Sequence, residues 1–192
     1  MTDSLIYMAS GSGRRFGSNK LLHSFEGKPL YLYGLTTLLQ AAKRRRNCRI
    51  LVVSRYEEIR RQALSLGAEA VDCPESALGA SFTVKAGLRA LPELQKGDRI
   101  LFAAADQPFL SSQSGLRLLD TEIGENQTAR LCFGSTPGNP VLFPAALSRE
   151  LMTLTGDQGG GVVVKHHSCI FVPVIHPREL QDIDLLSDLK KL

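Results

Sequence analysis

Apolar and polar positions along the chain switch between two periods, and each switch marks an element. Leu5–Met8 is a short apolar run that predicts a first strand, opening into a glycine-rich loop over Gly11–Lys20. Leu32, Leu35, Leu38 and Leu39 share one face of a helix over Leu30–Ala42. Arg49–Ser54 predicts a second strand, and Tyr56–Leu66 an amphipathic helix that stops before Gly67. Ala68–Asp72 is a third strand, and Phe82–Leu91 a helix ended by Pro92. Arg99–Ala104 (RILFAA) is apolar on both faces, as a strand inside a parallel sheet must be. Ser111 or Ser112 can cap a helix running to about Thr121. Strands over Ala129–Phe133 and Val141–Phe143 flank a turn-rich GSTPGNP, followed by a helix over Ala145–Leu154, a strand over Ser168–Val174 and a tail helix over Leu185–Leu192.

Strand and helix alternate, which predicts an α/β fold with a mostly parallel sheet. Such sheets bind ligands beyond the carboxyl ends of their strands. The loops after Met8 and Ala104 are therefore the places to look for chemistry.

Composition narrows the picture further. The 192 residues, 43% hydrophobic and 22% charged, suit one domain (1–192) with an ordinary core. The formal charge of +4 owes much to Lys43–Arg46 and Arg49. That run reads as a solvated helix end, where cations meet the negative end of the dipole, so neither nucleic acid nor membrane is an expected partner. Cys48, Cys73, Cys132 and Cys169 lie far apart without a CxxC pair, which disfavours zinc and dithiol redox sites. The first residues lack the pattern of a signal peptide and no apolar stretch approaches ~20 residues, so the expected location is cytoplasmic.

The segment Ala9-Ser10-Gly11-Ser12-Gly13-Arg14-Arg15-Phe16-Gly17-Ser18-Asn19-Lys20 combines three glycines with three cations. Glycines let backbone approach a ligand, and exposed N–H groups in such a loop form an anion site. Arg14, Arg15 and Lys20 add charge suited to a triphosphate. It is not a Walker loop, having no Gly-Lys-Ser/Thr, nor a dinucleotide fingerprint, because Phe16 occupies the third glycine position. Lys20 is expected at an exposed loop position, where substitution changes stability by about 0.5 kcal/mol. Asp106 directly follows RILFAA and precedes Gln107-Pro108, so a carboxylate stands at a buried strand's tip, suited to Mg²⁺. A turn-stabilising Asp is the alternative. His166 and His167 are adjacent, cannot share a helix face as metal ligands, and read as polar surface residues.

These segments together resemble the MobA-like NTP transferases, and among them the molybdenum cofactor cytidylyltransferases. MASGSGRRFGSNKLL is similar to the family's first motif through Gly11, Gly13, Arg15, Phe16, Gly17 and Lys20, and Asp106-Gln107-Pro108 to its DQP motif. CPESALGASFTVKAGL resembles a further block through Pro74, Glu75, Gly79 and Ser81. Gly138–Pro144, Gly156–Gly159 and Asp182–Asp188 resemble three more, and the six blocks run in family order. Gly160 and Gly161 depart from the pattern where an arginine is often found, and Leu185-Leu186 replaces Thr-Pro.

The resemblance implies a three-layer, Rossmann-like nucleotidyltransferase (GT-A-like) fold and an acceptor phosphate attacking the α-phosphorus of an NTP. It implies Lys20, Arg15 and Asp106 as catalytic residues. Ala9, Ser10, Gly11, Ser12, Gly13, Arg14, Arg15 and Lys20, with Pro74, Glu75, Gly79 and Ser81, are implied on the nucleotide side. It implies Mg²⁺ as the cofactor, on Asp106 with Asp182 or Asp184. Asn139, Pro140, Asp157 and Gly159 fall on the acceptor side, although Asp157 also fits a surface turn. The implied partners are CTP, a phosphorylated acceptor of molybdopterin type and a molybdoenzyme client. Two alternatives stand beside this: GTP or another phosphorylated metabolite with the same chemistry, and a non-catalytic maturation factor.

Overall fold

The apolar runs assemble into one seven-stranded sheet in the computed structural model, which describes residues 1–11, 16, 19–185 and 187–188. In chain order the strands and helices are β1 (Asp3–Met8), β2 (Ser24–Phe25), β3 (Lys28–Pro29), α1 (Leu30–Ala42), β4 (Cys48–Val53), α2 (Glu57–Ser65), β5 (Glu69–Val71) and α3 (Ala80–Ala90). They continue as β6 (Arg99–Ala104), α4 (Ser112–Asp120), β7 (Gln127–Phe133), β8 (Thr136–Pro144), α5 (Ser148–Leu151), α6 (Gly161–Val164) and β9 (Ser168–Pro173). The order across the sheet is β5-β4-β1-β6-β8-β7-β9, while β2 and β3 pair as a separate small hairpin. Among the described residues only β8 runs against its neighbours in the large sheet, so the sheet is mixed and largely parallel.

Alternate residues of each strand face opposite layers. Leu5, Tyr7, Leu101 and Leu142 pack with Leu35 and Leu38 of α1, Ile59 of α2 and Leu118 of α4. Ile6, Phe102, Val141 and Phe143 pack with Val84 and Leu88 of α3, Leu151 of α5 and Val163 of α6. This double burial is why the strands read as continuous apolar runs, and it makes the fold the expected three-layer α/β arrangement. Ser111 is the residue that caps α4, its hydroxyl accepting from the Ser114 amide at 3.1 Å.

Several expectations change. GSTPGNP is mostly strand: Gly134, with φ 56°, and Ser135 alone form the turn, and β8 begins at Thr136. The positive φ at the first turn position is what lets so short a link join two twisted strands. The helix expected over Ala145–Leu154 is a 3₁₀ turn over Ala145–Leu147 followed by the single turn of α5. Thr153 ends it by donating its hydroxyl to the Glu150 carbonyl at 2.8 Å. Helix α6, hidden in the sequence by Gly159–Gly161, follows instead. The tail helix expected over Leu185–Leu192 falls largely outside the described residues, at Leu186 and 189–192.

The basic run is not wholly solvated. Asp3, buried at the amino end of β1, takes a forked pair of hydrogen bonds from Arg99 at 2.8 and 2.9 Å and a third from Arg45 at 2.8 Å. Arg99 also donates to the carbonyls of Leu119 and Thr121, closing this end of the sheet far from the loops at the other. His167 likewise has a partner, its Nε2 lying 2.6 Å from the Glu150 carboxylate. Among the described residues no helix is long and apolar enough to cross a membrane.

Candidate active site

β1 and β6 are neighbours in register, Met8 beside Ala104, so the loops that follow them emerge together. The Ala105 amide donates to the Met8 carbonyl at 3.2 Å and the Ala9 amide to Val53 at 2.9 Å, holding both strand ends. Ser10 Oγ donates to the Val53 carbonyl and Ser54 Oγ to the Ala9 carbonyl, which ties the start of the glycine loop to β4. Beyond these ends lies a cleft of about 320 Å³. Gly11, Lys20, Ser76, Gly79, Asp106 and Asp157 are among the residues that line it.

Lys20 is brought in by its neighbours. Leu21 is buried in the core, and Asn19 caps the short turn Lys20–Leu22 by accepting from the Leu21 amide at 3.1 Å. With both neighbours fixed, the Lys20 side chain turns into the molecule and is only 7% exposed. Its Nζ donates to Asp106 Oδ2 at 2.7 Å and to Asp184 Oδ1 at 2.8 Å. The exposed lysine expected from the loop's polarity is therefore a buried ammonium between two carboxylates. Burial works against its charge, but the two aspartates prevail and raise its pKa above the ordinary lysine value.

The tail reaches this point through Ile183. Its side chain is fully buried against Phe16, Phe25 and Leu30, and its amide donates to the Asp106 carbonyl at 2.9 Å. The flanking Asp182 and Asp184 are thereby delivered to Asp106. Desolvation, then the Asp106 charge and the Asp184 charge, push the Asp182 carboxyl up to about 6, although its residue keeps an exposed side. Asp106 and Asp184 thus share one ammonium with Asp182 beside them, and carboxylate oxygens are the hard donor type that Mg²⁺ takes, but among the described residues no group of three such side chains is placed to hold a metal. Asp106 with either tail aspartate is the pair that could offer oxygens to such an ion.

The other expected residues are distributed unevenly. Gly79 and Asp157 meet in the cleft, because the Gly156 carbonyl accepts from the Ser81 amide at 3.1 Å. Gly79 has φ 143°, and a Cβ there would lie 2.2 Å from the Gly156 carbonyl oxygen, so only glycine fits. Asp157, expected on the acceptor side, thus borders the segment expected on the nucleotide side. Ser76 and Ala77 line the cleft, whereas Pro74 and Glu75 are exposed on the same turn and do not. Ala9 is buried beneath the loop. Asn139 and Pro140, joined by a cis peptide, continue β8 past Val141, which pairs with Phe102, and so reach the carboxyl end of β6. Gly159 follows Asp157 and accepts from the Val162 amide. Ser12, Gly13, Arg14 and Arg15 lie outside the described residues.

Gln107 is a site residue that sequence reasoning left without a role. It is 3% exposed, its Nε2 donates to the Leu180 carbonyl at 3.3 Å, and its Oε1 is buried with no partner. Its amide also favours the charged form of the neighbouring Asp182 carboxylate. The DQP motif was the only signal available. Thr83, buried on the first turn of α3 and facing the cleft, left no signal at all.

Comparisons with known proteins bear on the chain's family and fold. Residues 5–170 match the profile of a family described as the MobA-like NTP transferase domain. The bifunctional protein GlmU of Rhizorhabdus wittichii is 31% identical over 156 residues, which cover 78% of this chain. They cover 33% of that protein, so the chain spans about a third of the curated relative's length. A nucleotidyl transferase from Methanothermobacter superposes with a TM-score of 0.81 at 23% identity, over 99% of this chain and 95% of the other. Molybdopterin-guanine dinucleotide biosynthesis protein A from Archaeoglobus fulgidus gives 0.70 at 19% identity, over 98% and 95%. At those identities the two structures share the fold.

Proposed function

The chain belongs to the MobA-like NTP transferase family, and on that premise we propose that it transfers CMP from CTP to a molybdopterin-type molybdenum cofactor. One observation carries the reading. A buried ammonium, Lys20, lies between Asp106 and Asp184 at the mouth of a glycine-walled cleft. Nucleotidyl transfer concentrates negative charge at one point, and catalysis there is positioning plus charge stabilisation.

The Gly11 and Gly79 backbones bound the space for the nucleoside. Lys20 offers positive charge to the phosphates, and the bond to Asp106 holds its ammonium in place. An oxygen of the acceptor's terminal phosphate attacks the α-phosphorus. The bond from that phosphorus to the oxygen bridging toward the β-phosphate breaks, and pyrophosphate leaves with the electron pair. Mg²⁺, held by Asp106 with Asp182 or Asp184, would supply charge neutralisation on the phosphate oxygens. Gln107 holds the Leu180 carbonyl, and with it the start of the tail, beside Asp106.

The choice of CTP rests on the resemblance of GSGRRFGSNK and DQP to the cytidylyl branch. The molybdenum acceptor rests on the ordered blocks through Asp182–Asp188, and a fold shared with a molybdopterin-guanine dinucleotide biosynthesis protein is compatible with it. The test is pyrophosphate release from each of the four NTPs, with and without molybdenum cofactor and Mg²⁺. CTP with both additions should be fastest. Faster release from GTP would change the base, and tight cofactor binding without pyrophosphate under any condition would favour a carrier.

A further inference from the structure

β7 and β8 do not pair regularly. Arg130 lies opposite Val141, but Cys132 lies opposite Pro137, so Leu131 faces the three residues Gly138, Asn139 and Pro140. Those three arch out of the ladder at the carboxyl end of the sheet. Arg130 braces the arch, its Nε donating to the Gly138 carbonyl at 3.0 Å. Because Arg130 is paired with Val141, it stands on the face that Val141 shares with Val84 and Leu88 of α3. Thr83 and Ala80 of that helix line the nucleotide cleft. Arg130 therefore stands on the same face of the sheet as the cleft, outside the cleft's own lining, with its Nε directed toward the carboxyl end at Gly138.

A partly buried arginine is normally paired with a carboxylate, since a desolvated charge alone is costly. Arg130 is partly buried, and among the described residues only its Nε has a protein partner, while its two Nη atoms still reach solvent. Burial, against the weaker opposing influence of Cys169 and Cys132, lowers its pKa from the ordinary arginine value. A forked donor left open beside a backbone arch is suited to a tetrahedral oxyanion, which it can engage through two parallel hydrogen bonds.

We propose that Arg130 binds the acceptor's phosphate on the β7–β8 side of the cleft and sets it toward the site of Asp106. The inference rests on the reading that the acceptor is phosphorylated, and it makes Arg130 a determinant of acceptor affinity rather than of nucleotide affinity. The phosphate lies across β8, between the arginine on β7 and the carboxylate beyond β6.

Inorganic phosphate is the probe, titrated into the full chain saturated with its tightest-binding NTP and without Mg²⁺, so that no transfer occurs. Arg130→Gln keeps an amide donor for Gly138 and removes the charge. Its phosphate half-saturation should rise at least tenfold with NTP affinity unchanged, and Arg130→Lys should recover part of the loss. Wild-type phosphate affinity in Arg130→Gln overturns the proposal. So does an equal loss of NTP affinity, which marks a structural role. Should Arg130→Gln fail to fold, the Arg130 Nε resonance of the wild type must shift on adding phosphate, and a resonance that stays in place overturns it equally. Transfer assays separate the two readings. Arg130-dependent phosphate binding without turnover of molybdenum cofactor sinks that acceptor and leaves the subsite standing. Turnover with an unchanged acceptor KM in Arg130→Gln sinks the subsite and leaves the function.

Discussion

Replacing Lys20 by Met keeps the apolar stem and deletes the ammonium that two aspartates share. Breaking a buried ion pair costs ~3–5 kcal/mol, and an exposed one ~0–1 kcal/mol. The Lys20–Asp106 pair is near the buried limit, with side-chain exposures of 8% and 23%, while Asp184 at 54% is near the exposed one. Solvent at both carboxylates screens the loss, so about 2 kcal/mol is expected, mostly through Asp106. In a domain of this size that lowers Tm by roughly 4–8 °C. Transfer should fall further, by ~10²–10³, the effect of removing one preorganised charge-stabilising donor. The stability term also has a pH signature. Lys20 has a raised folded pKa, so its contribution is complete below the unfolded value of ~10.4 and fades as pH rises through the folded one. The difference between wild type and Lys20→Met should therefore hold from neutral pH toward ~10 and shrink above it. Denaturant titrations across that range and pyrophosphate release at neutral pH check both. An unchanged Tm would refute the buried bridge, and normal transfer with a lowered Tm would make Lys20 purely structural.

Asp106→Asn preserves shape but removes an anionic ligand. Transfer should drop by orders of magnitude at ~1.4 kcal/mol per decade, with NTP binding largely kept, as calorimetry and single-turnover assays can read. Of Asp182→Asn and Asp184→Asn, the one that raises the Mg²⁺ needed for half-maximal rate identifies the tail ligand. Asp182 has a raised folded pKa of about 6, so its charge opposes folding above that pH and not below the unfolded value of ~3.9. Metal-free Asp182→Asn should accordingly be more stable than wild type at pH 7 and equal to it at pH ~3, as paired thermal melts would show. Gly79→Ala pushes a methyl against the Gly156 carbonyl, a backbone atom that cannot rotate away, at a φ that alanine rarely adopts. NTP affinity should fall at least tenfold, and normal affinity by calorimetry would mean that the Gly79–Gly156 contact is not needed for binding.

Local pattern decided more of this protein than its site. α1 and β6 appear in the sequence with the bounds they have in the structure, because the periodicity of an amphipathic helix and the apolar run of a doubly covered strand are set by near neighbours. Glycine and proline content misled where it stood in for pairing: GSTPGNP carries turn residues, yet most of it runs as strand, with Thr136 and Pro137 paired to β7. The strand order, and β8 as the one reversed strand, had no local signal, since pairing is settled by long-range packing.

The ordered motifs were enough to assign the chemistry's family, and they named Lys20 and Asp106 without their relationship. The two residues stand 86 positions apart, and Lys20 and Asp184 stand 164 apart. What joins them is Ile183 burying its side chain against Phe16, Phe25 and Leu30 while its amide bonds the Asp106 carbonyl. The sequence by itself determined which charges exist and which strands and helices end beside them. Only the tertiary structure decided which charges meet, because an ammonium becomes a buried bridge, and Arg130 a guanidinium with no carboxylate partner among the described residues, through the solvent and partners that distant segments remove or bring.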